Sequence, residues 1–431
     1  MNPTSPVVLV LVFLGAIGAL VALAMVRWLA VKIAAGLLAL TLAMFGGIVA
    51  VNDYFGYYQS WHDAYTDLSG QSVASPGSGS FTQNASDKVA NIPHGRIEQV
   101  RIPGPVSHLD RMGYVYLPPQ YNQPQYKNNR FPVVELLHGT PGTPTSWFVA
   151  MHIGAYMDQL LATHQLGPMI LVAPFLRDNN TPQECLNTTA FQDETYPSVD
   201  VPAYVRAHYR VATNSAEWGL LGESGGGFCS TNIALDHPSD WGAMAAIDGY
   251  FLPSDGPAGQ VLKRYPAAAA TANPIIKAQN MPSGTTPLPS MWLSVGTGNS
   301  DDITEEKLFV NAMTHLEQVR VVTLTGGNHT IYSFRQTQPQ ALEWLWTQIA
   351  SPELRVQFPI SGPPSSSVQN EKPFPTKQIQ EAQRRAHGGK TTAPSRTKAS
   401  GRKPSSKTHH SKTGSHSTTT APSAPSTSRP A

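Results

Sequence analysis

Twenty residues from Val7 to Val26 (VVLVLVFLGAIGALVALAMV) carry no charge, and Ile33 to Val51 adds nineteen more. A run of this length folds as a helix, which at 1.5 Å per residue crosses the roughly 30 Å hydrocarbon core of a bilayer. Surface helices of soluble domains keep a polar face, and these runs have none. A cleaved signal peptide is the competing reading. It needs positive charge ahead of the apolar run, and the side chains of MNPTSP supply none. Arg27 and Lys32 sit in the short turn between the runs. Positive residues in short loops favour the cytoplasmic side, which puts everything after Asn52 outside the plasma membrane. Gly15 with Gly18, or Gly46 with Gly47, would let the two helices approach closely.

The rest of the 431-residue chain divides by composition. Residues 1–52 hold the two transmembrane helices and 53–90 a juxtamembrane segment and linker. Within it, NDYFGYYQSWHDAY suits an aromatic belt at the outer interface or a set of rings packed on the body. Ser69 to Ala90 is Gly/Ser/Asn-rich and reads as flexible. Residues 91–351 alternate short apolar runs with longer mixed stretches. Val133–Leu137, Met169–Val172, Trp218–Leu221, Met244–Ile247, Met291–Val295 and Val319–Leu324 read as buried strands. Thr145–Thr163, Gly226–His237, Glu305–Glu317 and Gln338–Ile349 read as helices. Such alternation predicts an α/β domain with a mostly parallel sheet and helices on both faces.

Residues 352–431 form a Ser/Thr/Pro/Lys-rich tail. From Glu371 onward there are 12 Lys and Arg against 2 acidic residues, whereas the remainder holds 18 basic and 26 acidic. The small net charge of +2 therefore averages a mildly acidic body with a basic tail. The tail has too little apolar surface to offset the entropy of ordering, so it is expected to be disordered. Outside the cell its charge suits anionic cell-envelope polymer rather than nucleic acid. His409, His410 and His416 are too loosely spaced for a metal site. The two cysteines, Cys185 and Cys229, make no C-x-x-C, and H-E-x-x-H, P-loop and strand-linked G-x-G-x-x-G patterns are missing. No metal and no cofactor are expected.

Gly222-Glu223-Ser224-Gly225-Gly226 matches G-x-S-x-G, weak alone because its residues are common. Its surroundings strengthen it. Glu217–Leu221 reads as a strand and GGGFCSTNIALDH as a helix, and a strand–tight turn–helix is what this motif needs to expose a strained serine. A serine hydroxyl needs a base to take its proton. His329, in the loop of TLTGGNHTIYSF after the last strand, is the candidate. An acid orienting that histidine is expected between the two. Asp301 in VGTGNSDD is the first choice, Asp302 the alternate and Asp248 a third, though Asp301 or Asp302 would also cap a helix starting near Thr304. Acyl transfer also needs donors for a developing oxyanion. The strand VVELL ends at His138-Gly139, so the amides of Thr140 and Gly225 are the candidate pair, with His138 structural.

RMGYVYLPPQY, FPVVELLHGTPG, LLGESGGGFCS, VGTGNSDD and GGNHTIYSFRQTQPQALEWL, in that order, resemble the putative esterase family of α/β hydrolases, which includes the actinobacterial mycolyltransferases. The likeness runs from about Asn91 to Ile349. Membrane helices followed by VN-x-x-FG-YY also resemble actinobacterial members. The resemblance implies the α/β-hydrolase fold, Ser224 as nucleophile, His329 as base and an oxyanion hole at Thr140 and Gly225. It does not choose between Asp301 and Asp302. It also implies a Cys185–Cys229 disulfide, which suits an oxidising compartment. Gly225 stands where the family often has a larger residue, which opens the pocket wall.

These readings converge on a membrane-anchored extracytoplasmic serine esterase or acyltransferase, acting on ester substrates such as lipid or cell-envelope acyl groups through an acyl-enzyme. Two others compete: a non-catalytic envelope-binding protein on a degenerate hydrolase scaffold, and a peptidase.

Overall fold

The computed structural model describes residues 5–55 and 92–361, apart from 141, 178–184, 254–257, 282–287 and 314–318, together with 3, 57–58, 61 and 64–65. The linker expected at Ser69–Ala90 and the tail after Ser361 lie outside the described residues.

Both uncharged runs are helices, α1 (Pro6–Met25) and α2 (Leu29–Phe55), each long and apolar enough to cross a bilayer. They lie against each other through small side chains, with Ala16, Ala19, Ala35 and Ala39 buried. Gly15 faces Leu42 and Gly46 faces Val12, whereas Gly18 and Gly47 face open space. Leu11, Leu14, Ile17, Leu38, Leu40 and Ile48 point outward on surfaces left exposed among the described residues, the outcome expected when lipid is the solvent. Past α2, the Asn52 side chain bonds both polar backbone groups of Tyr58, closing a turn. Two of the juxtamembrane rings lie against other parts of the chain. Trp61 stacks on Phe45 of α2 at 5.9 Å. Tyr57 is half-buried close enough to Glu223 for burial and that carboxylate to hold its phenol above the ordinary range.

The body is built on one eight-stranded sheet: β1 (Arg96–Gly104), β2 (Leu109–Leu117), β3 (Val133–Leu137), β4 (Ile170–Pro174), β5 (Trp218–Glu223), β6 (Ala243–Ile247), β7 (Ser290–Gly296) and β8 (Val319–Leu324). Their spatial order is β1-β2-β4-β3-β5-β6-β7-β8. The β1–β2 and β2–β4 pairs are antiparallel and all the others parallel. Strands β3 to β6 are buried throughout, because helices cover both faces, and that is why they read as mostly apolar runs without a solvent-facing alternation. Alternate residues feed two cores. Val133 and Leu137 face the side of Val205, Ile233 and Phe309, while Val134 and Leu136 face Met157, Leu342 and Trp346. Fully burying side chains of this size contributes about 1.5–3 kcal/mol each.

The helices that matter for the site are α5 (Gly225–Asp236), α8 (Ser300–Ala312) and α9 (Ile331–Ile349); α3 (Ile153–Ala162), α4 (Val201–His208), α6 (Ala258–Arg264) and α7 (Pro274–Asn280) complete the layers. Three depart from the sequence reading, one of them α8, which was expected at Glu305–Glu317 and instead runs from Ser300 to Ala312. The expected helix Thr145–Thr163 is broken at His152, whose φ of 53° leaves the helical region. The last helix begins at Ile331 and runs through Pro339, with Thr330 as its N-cap accepting from the Ser333 amide. A short helix α10 (Pro352–Gln357) follows, burying Leu354, and Phe358 lies against Tyr126 at 5.1 Å, so the folded body extends past the boundary expected at residue 351.

Cys185 and Cys229 form a disulfide, with their Cα atoms 5.3 Å apart, that ties the segment after β4 to α5. It closes a loop with a sequence separation of 44, which the chain-entropy model values at about 4 kcal/mol. Replacing both cysteines with alanine should lower the unfolding free energy by about that amount, read as an earlier urea midpoint. An unchanged midpoint would show that the bridge does not constrain the unfolded chain. The strand order, crossovers and the tight strand–helix turn at Ser224 are those of the α/β-hydrolase fold.

Candidate active site

In a parallel sheet, functional groups collect where strands end at their carboxyl edge. Here β3 ends at His138–Thr140, β5 at Ser224, β6 at Asp248, β7 at the Thr297–Asp302 segment and β8 at the Gly326–His329 loop. The Ser224 turn is tight because two glycines let strand and helix touch. A Cβ on Gly226 would lie 1.8 Å from the Leu137 carbonyl oxygen, and one on Gly222 would lie 1.9 Å from that of Gly226. The backbone between them is forced to φ 53°, ψ −120° at Ser224, a conformation that costs a non-glycine residue of order 1–3 kcal/mol and persists only when its surroundings impose it. The Ser224 amide donates to the Ile247 carbonyl at 2.9 Å, fixing the turn to β6.

Ser224 Oγ lies 2.8 Å from His329 Nε2, and His329 Nδ1 lies 2.8 Å from Asp302 Oδ2. The loop carrying the imidazole is fixed by the Gly298 amide donating to the Gly327 carbonyl and by the Asn328 amide donating to Ser333 Oγ. Burial pulls the pKa of His329 down, but the Asp302 hydrogen bond and the charges of Asp302, Asp248 and Glu223 outweigh it, and the ring titrates above its ordinary value.

The acid at the imidazole is therefore the alternate, Asp302, and not the first choice, Asp301. The cause is where α8 begins. Asn299 caps the helix by accepting from the Asp302 amide, so both aspartates lie in its first turn and not in a loop ahead of it. Successive helical residues point about 100° apart, so only one of them can face His329. Asp301 is exposed and meets Ser300 instead. Asn299 Nδ2 also donates to Asp302 Oδ2. The third choice, Asp248, is buried at φ 45° with its carboxylate accepting from the Gly296 amide at 2.8 Å. Burial pushes its pKa up to about 6, against that hydrogen bond and the nearby imidazole. Donor atoms of Asp248, Asp302 and His329 lie within 4.8 Å of one another, but Asp302 Oδ2 and both ring nitrogens of His329 are already engaged in the chain of hydrogen bonds to Ser224.

The oxyanion candidates also come together. Thr140 and Gly225 line one small cavity with His138, Leu176, Arg177 and the two cysteines. Gly225 opens α5, so its amide has no partner within the helix and stands at the positive end of the helix dipole. Sequence reasoning passed over Glu223. Its buried carboxylate accepts from the Gly139 amide at 2.6 Å and ties the loop after β3 to the end of β5. The variable position of the motif gave no signal for this.

His138 is a clamp. Its Nε2 accepts from the Leu176 amide at 3.1 Å, which leaves Nδ1 as the donor to the Gly139 carbonyl, and Phe175 packs edge-on against the ring. Burial and the nearby Arg177 and Arg111 lower its pKa to about 4, against the Gly139 hydrogen bond. A histidine whose folded pKa lies below its unfolded value stabilises the protein fully above the unfolded value of 6.5 and loses that contribution as pH falls toward 4. The difference corresponds to roughly 3 kcal/mol. His138→Gln should therefore show a shallower loss of unfolding free energy between pH 6.5 and 4. Parallel wild-type and variant curves over that range would refute the assignment.

The family model described as Putative esterase matches residues 108–348. An uncharacterized protein of Corynebacterium glutamicum is 23% identical over 244 residues, which is 54% of this chain and 57% of the relative. An endo-1,4-beta-xylanase/feruloyl esterase of Xylanibacter ruminicola is 27% identical over 176 residues, 38% of this chain and 23% of that one. The chain thus spans little more than half the length of the first relative and about a quarter of the second. Among solved structures, a ferulic acid esterase superposes with a TM-score of 0.52 at 19% identity, covering 60% of this chain and all of that one. An S-formylglutathione hydrolase from Agrobacterium tumefaciens superposes at 0.51 and 17%, covering 60% and 97%. At such identities the superpositions speak for the α/β-hydrolase fold alone.

Proposed function

The chain belongs to the Putative esterase family, and on that premise we propose that it is a membrane-anchored serine esterase or acyltransferase that works outside the cytoplasm on lipid or cell-envelope acyl esters. The observation that carries the proposal is the hydrogen-bonded chain from Ser224 through His329 to Asp302. Ser224 Oγ attacks the ester carbonyl as His329 Nε2 takes its proton. Asp302 keeps the other proton on Nδ1 and steadies the imidazolium that forms. The amides of Thr140 and Gly225 receive the developing oxyanion. His329 then protonates the departing alcohol, leaving an acyl-serine. Water completes a hydrolysis; a sugar or lipid hydroxyl completes a transfer.

Turnover of acyl esters of increasing chain length, with and without a sugar acceptor, tests this. Release of free acid alone marks a hydrolase, acylated sugar marks a transferase, and no turnover of any ester refutes both. The placement has its own test. With Arg27 and Lys32 in the cytoplasm, protease added to intact wall-stripped cells should digest the body, and full protection of fragments containing Ser224 would overturn that orientation.

A further inference from the structure

We propose that a cavity next to the oxyanion pocket recognises an anionic oxygen group, a carboxylate or phosphate, on the acyl part of the substrate, and that Arg177 is the residue that reads it. The proposal rests on the ester-cleaving function above and deepens it to a substrate class.

The cavity has a volume of about 530 Å³, and its walls include Arg111, Tyr114, Thr143, Thr145, Phe175 and Arg177. Arg177 also lines the small pocket that holds Thr140 and Gly225, and it is common to both sets of walls. One arginine thus borders both the place where the oxyanion would form and the larger space beyond it. It is 7% exposed, so its charge acts with little screening by water. A guanidinium has five N–H donors in a planar fork suited to carboxylate and phosphate, so it can hold a protein partner and still offer an edge to a ligand.

Arg177 is also held in place. The residue before it, Leu176, donates its amide to His138, and Phe175 packs on the same ring. Of the other charges in these walls, Arg111 is paired with the buried Asp193, and Asp110, which also lines the cavity, is paired with Arg101 at 2.8 and 2.9 Å. Arg177 and Arg111 both lie close enough to His138 to oppose its protonation.

The two sides of Ser224 differ in charge, and this assigns the anion to the acyl part. His329 must reach the departing alcohol, and the charges acting on it are those of Asp302, Asp248 and Glu223. An anionic alcohol would approach the carboxylates of Asp302 and Asp248, whereas that of Glu223 is tied to Gly139. An anionic acyl group would instead approach the guanidiniums beyond the oxyanion pocket. The polar Thr143 and Thr145 side chains and the Tyr114 ring are compatible with a short acyl chain ending in such a group.

The test compares hydrolysis of monoethyl succinate with that of neutral ethyl 4-methylpentanoate by the full chain in detergent. Wild type should favour the anionic ester by about tenfold or more in kcat/KM, the range expected of a charge-assisted hydrogen bond. Arg177→Gln should bring the ratio close to one, and Arg177→Lys should restore part of it. Ethyl 3-phosphonopropionate in place of the succinate ester shows whether the phosphate type or the carboxylate type fits. A ratio unchanged in Arg177→Gln, an equal loss for both esters, or a wild-type preference for 2-carboxyethyl butyrate would overturn the proposal. If wild type cleaves none of these esters, it is the esterase function that fails. The subsite is then read by calorimetric binding of monoethyl succinate to Ser224→Ala with and without Arg177→Gln. Binding that depends on Arg177 upholds the subsite, and equal or absent binding overturns it.

Discussion

Replacing Ser224 with alanine should reduce ester turnover on the order of a millionfold and leave the melting temperature nearly unchanged. The size follows from the covalent step, for which no other group in the site can substitute. Removing one member of such a unit costs about as much as removing all of it, so His329→Ala should be nearly as severe and the double variant no worse. Stability is spared because Ser224 is only half-buried and alanine suffers the same backbone strain at φ 53°. Activity in pure Ser224→Ala near the wild-type level would contradict the mechanism. A collapsed melting temperature would show that the turn depends on the hydroxyl for folding.

The second large effect separates neighbouring aspartates. Asp302→Asn should lower kcat by about ten-thousandfold, because a neutral amide cannot stabilise the imidazolium and mis-sets its tautomer when its NH2 faces the ring. Asp301→Asn should fall within a fewfold of wild type, since that carboxylate is exposed and turned away from His329. The pH profile supplies an independent sign. A base must be neutral to act, and Asp302 helps to raise the His329 pKa, so the acid limb of kcat/KM in wild type should lie above 6.5. Without the Asp302 charge the limb should move to lower pH. A severe Asp301→Asn with a mild Asp302→Asn, or an acid limb that moves upward, would show that the acid has been assigned to the wrong residue.

Much of this was legible in the sequence where a residue's environment is uniform. Strand β3 begins and ends at Val133 and Leu137 as read, because both of its faces are buried and its aliphatic residues flank a single Glu135 with sharp edges on either side. Ser224 and His329 were legible because a strained turn and a loop after a final strand leave few places for a nucleophile and its base. Strands β1 and β2 were not read as strands. Their burial alternates between core and solvent, so they lack the continuous apolar run that marked the others. The choice between Asp301 and Asp302 turned on a helix start that Asn299 moves ahead of Thr304, a capping effect smaller than the packing forces a sequence pattern reports. Glu223 and Arg177 were illegible because their roles exist only in three dimensions. One reaches across to Gly139 of another strand end, and the other stands between two cavities.

The central claim is that the His329–Asp302 pair activates Ser224 as a nucleophile. A fluorophosphonate probe reads that property directly, because it bonds covalently only to a serine whose proton a base can take. Intact-mass analysis and peptide mapping of the full chain in detergent should find one adduct, on Ser224, and none in His329→Ala. No adduct on wild type, or an adduct on Ser224 that forms equally fast without His329, would contradict the account.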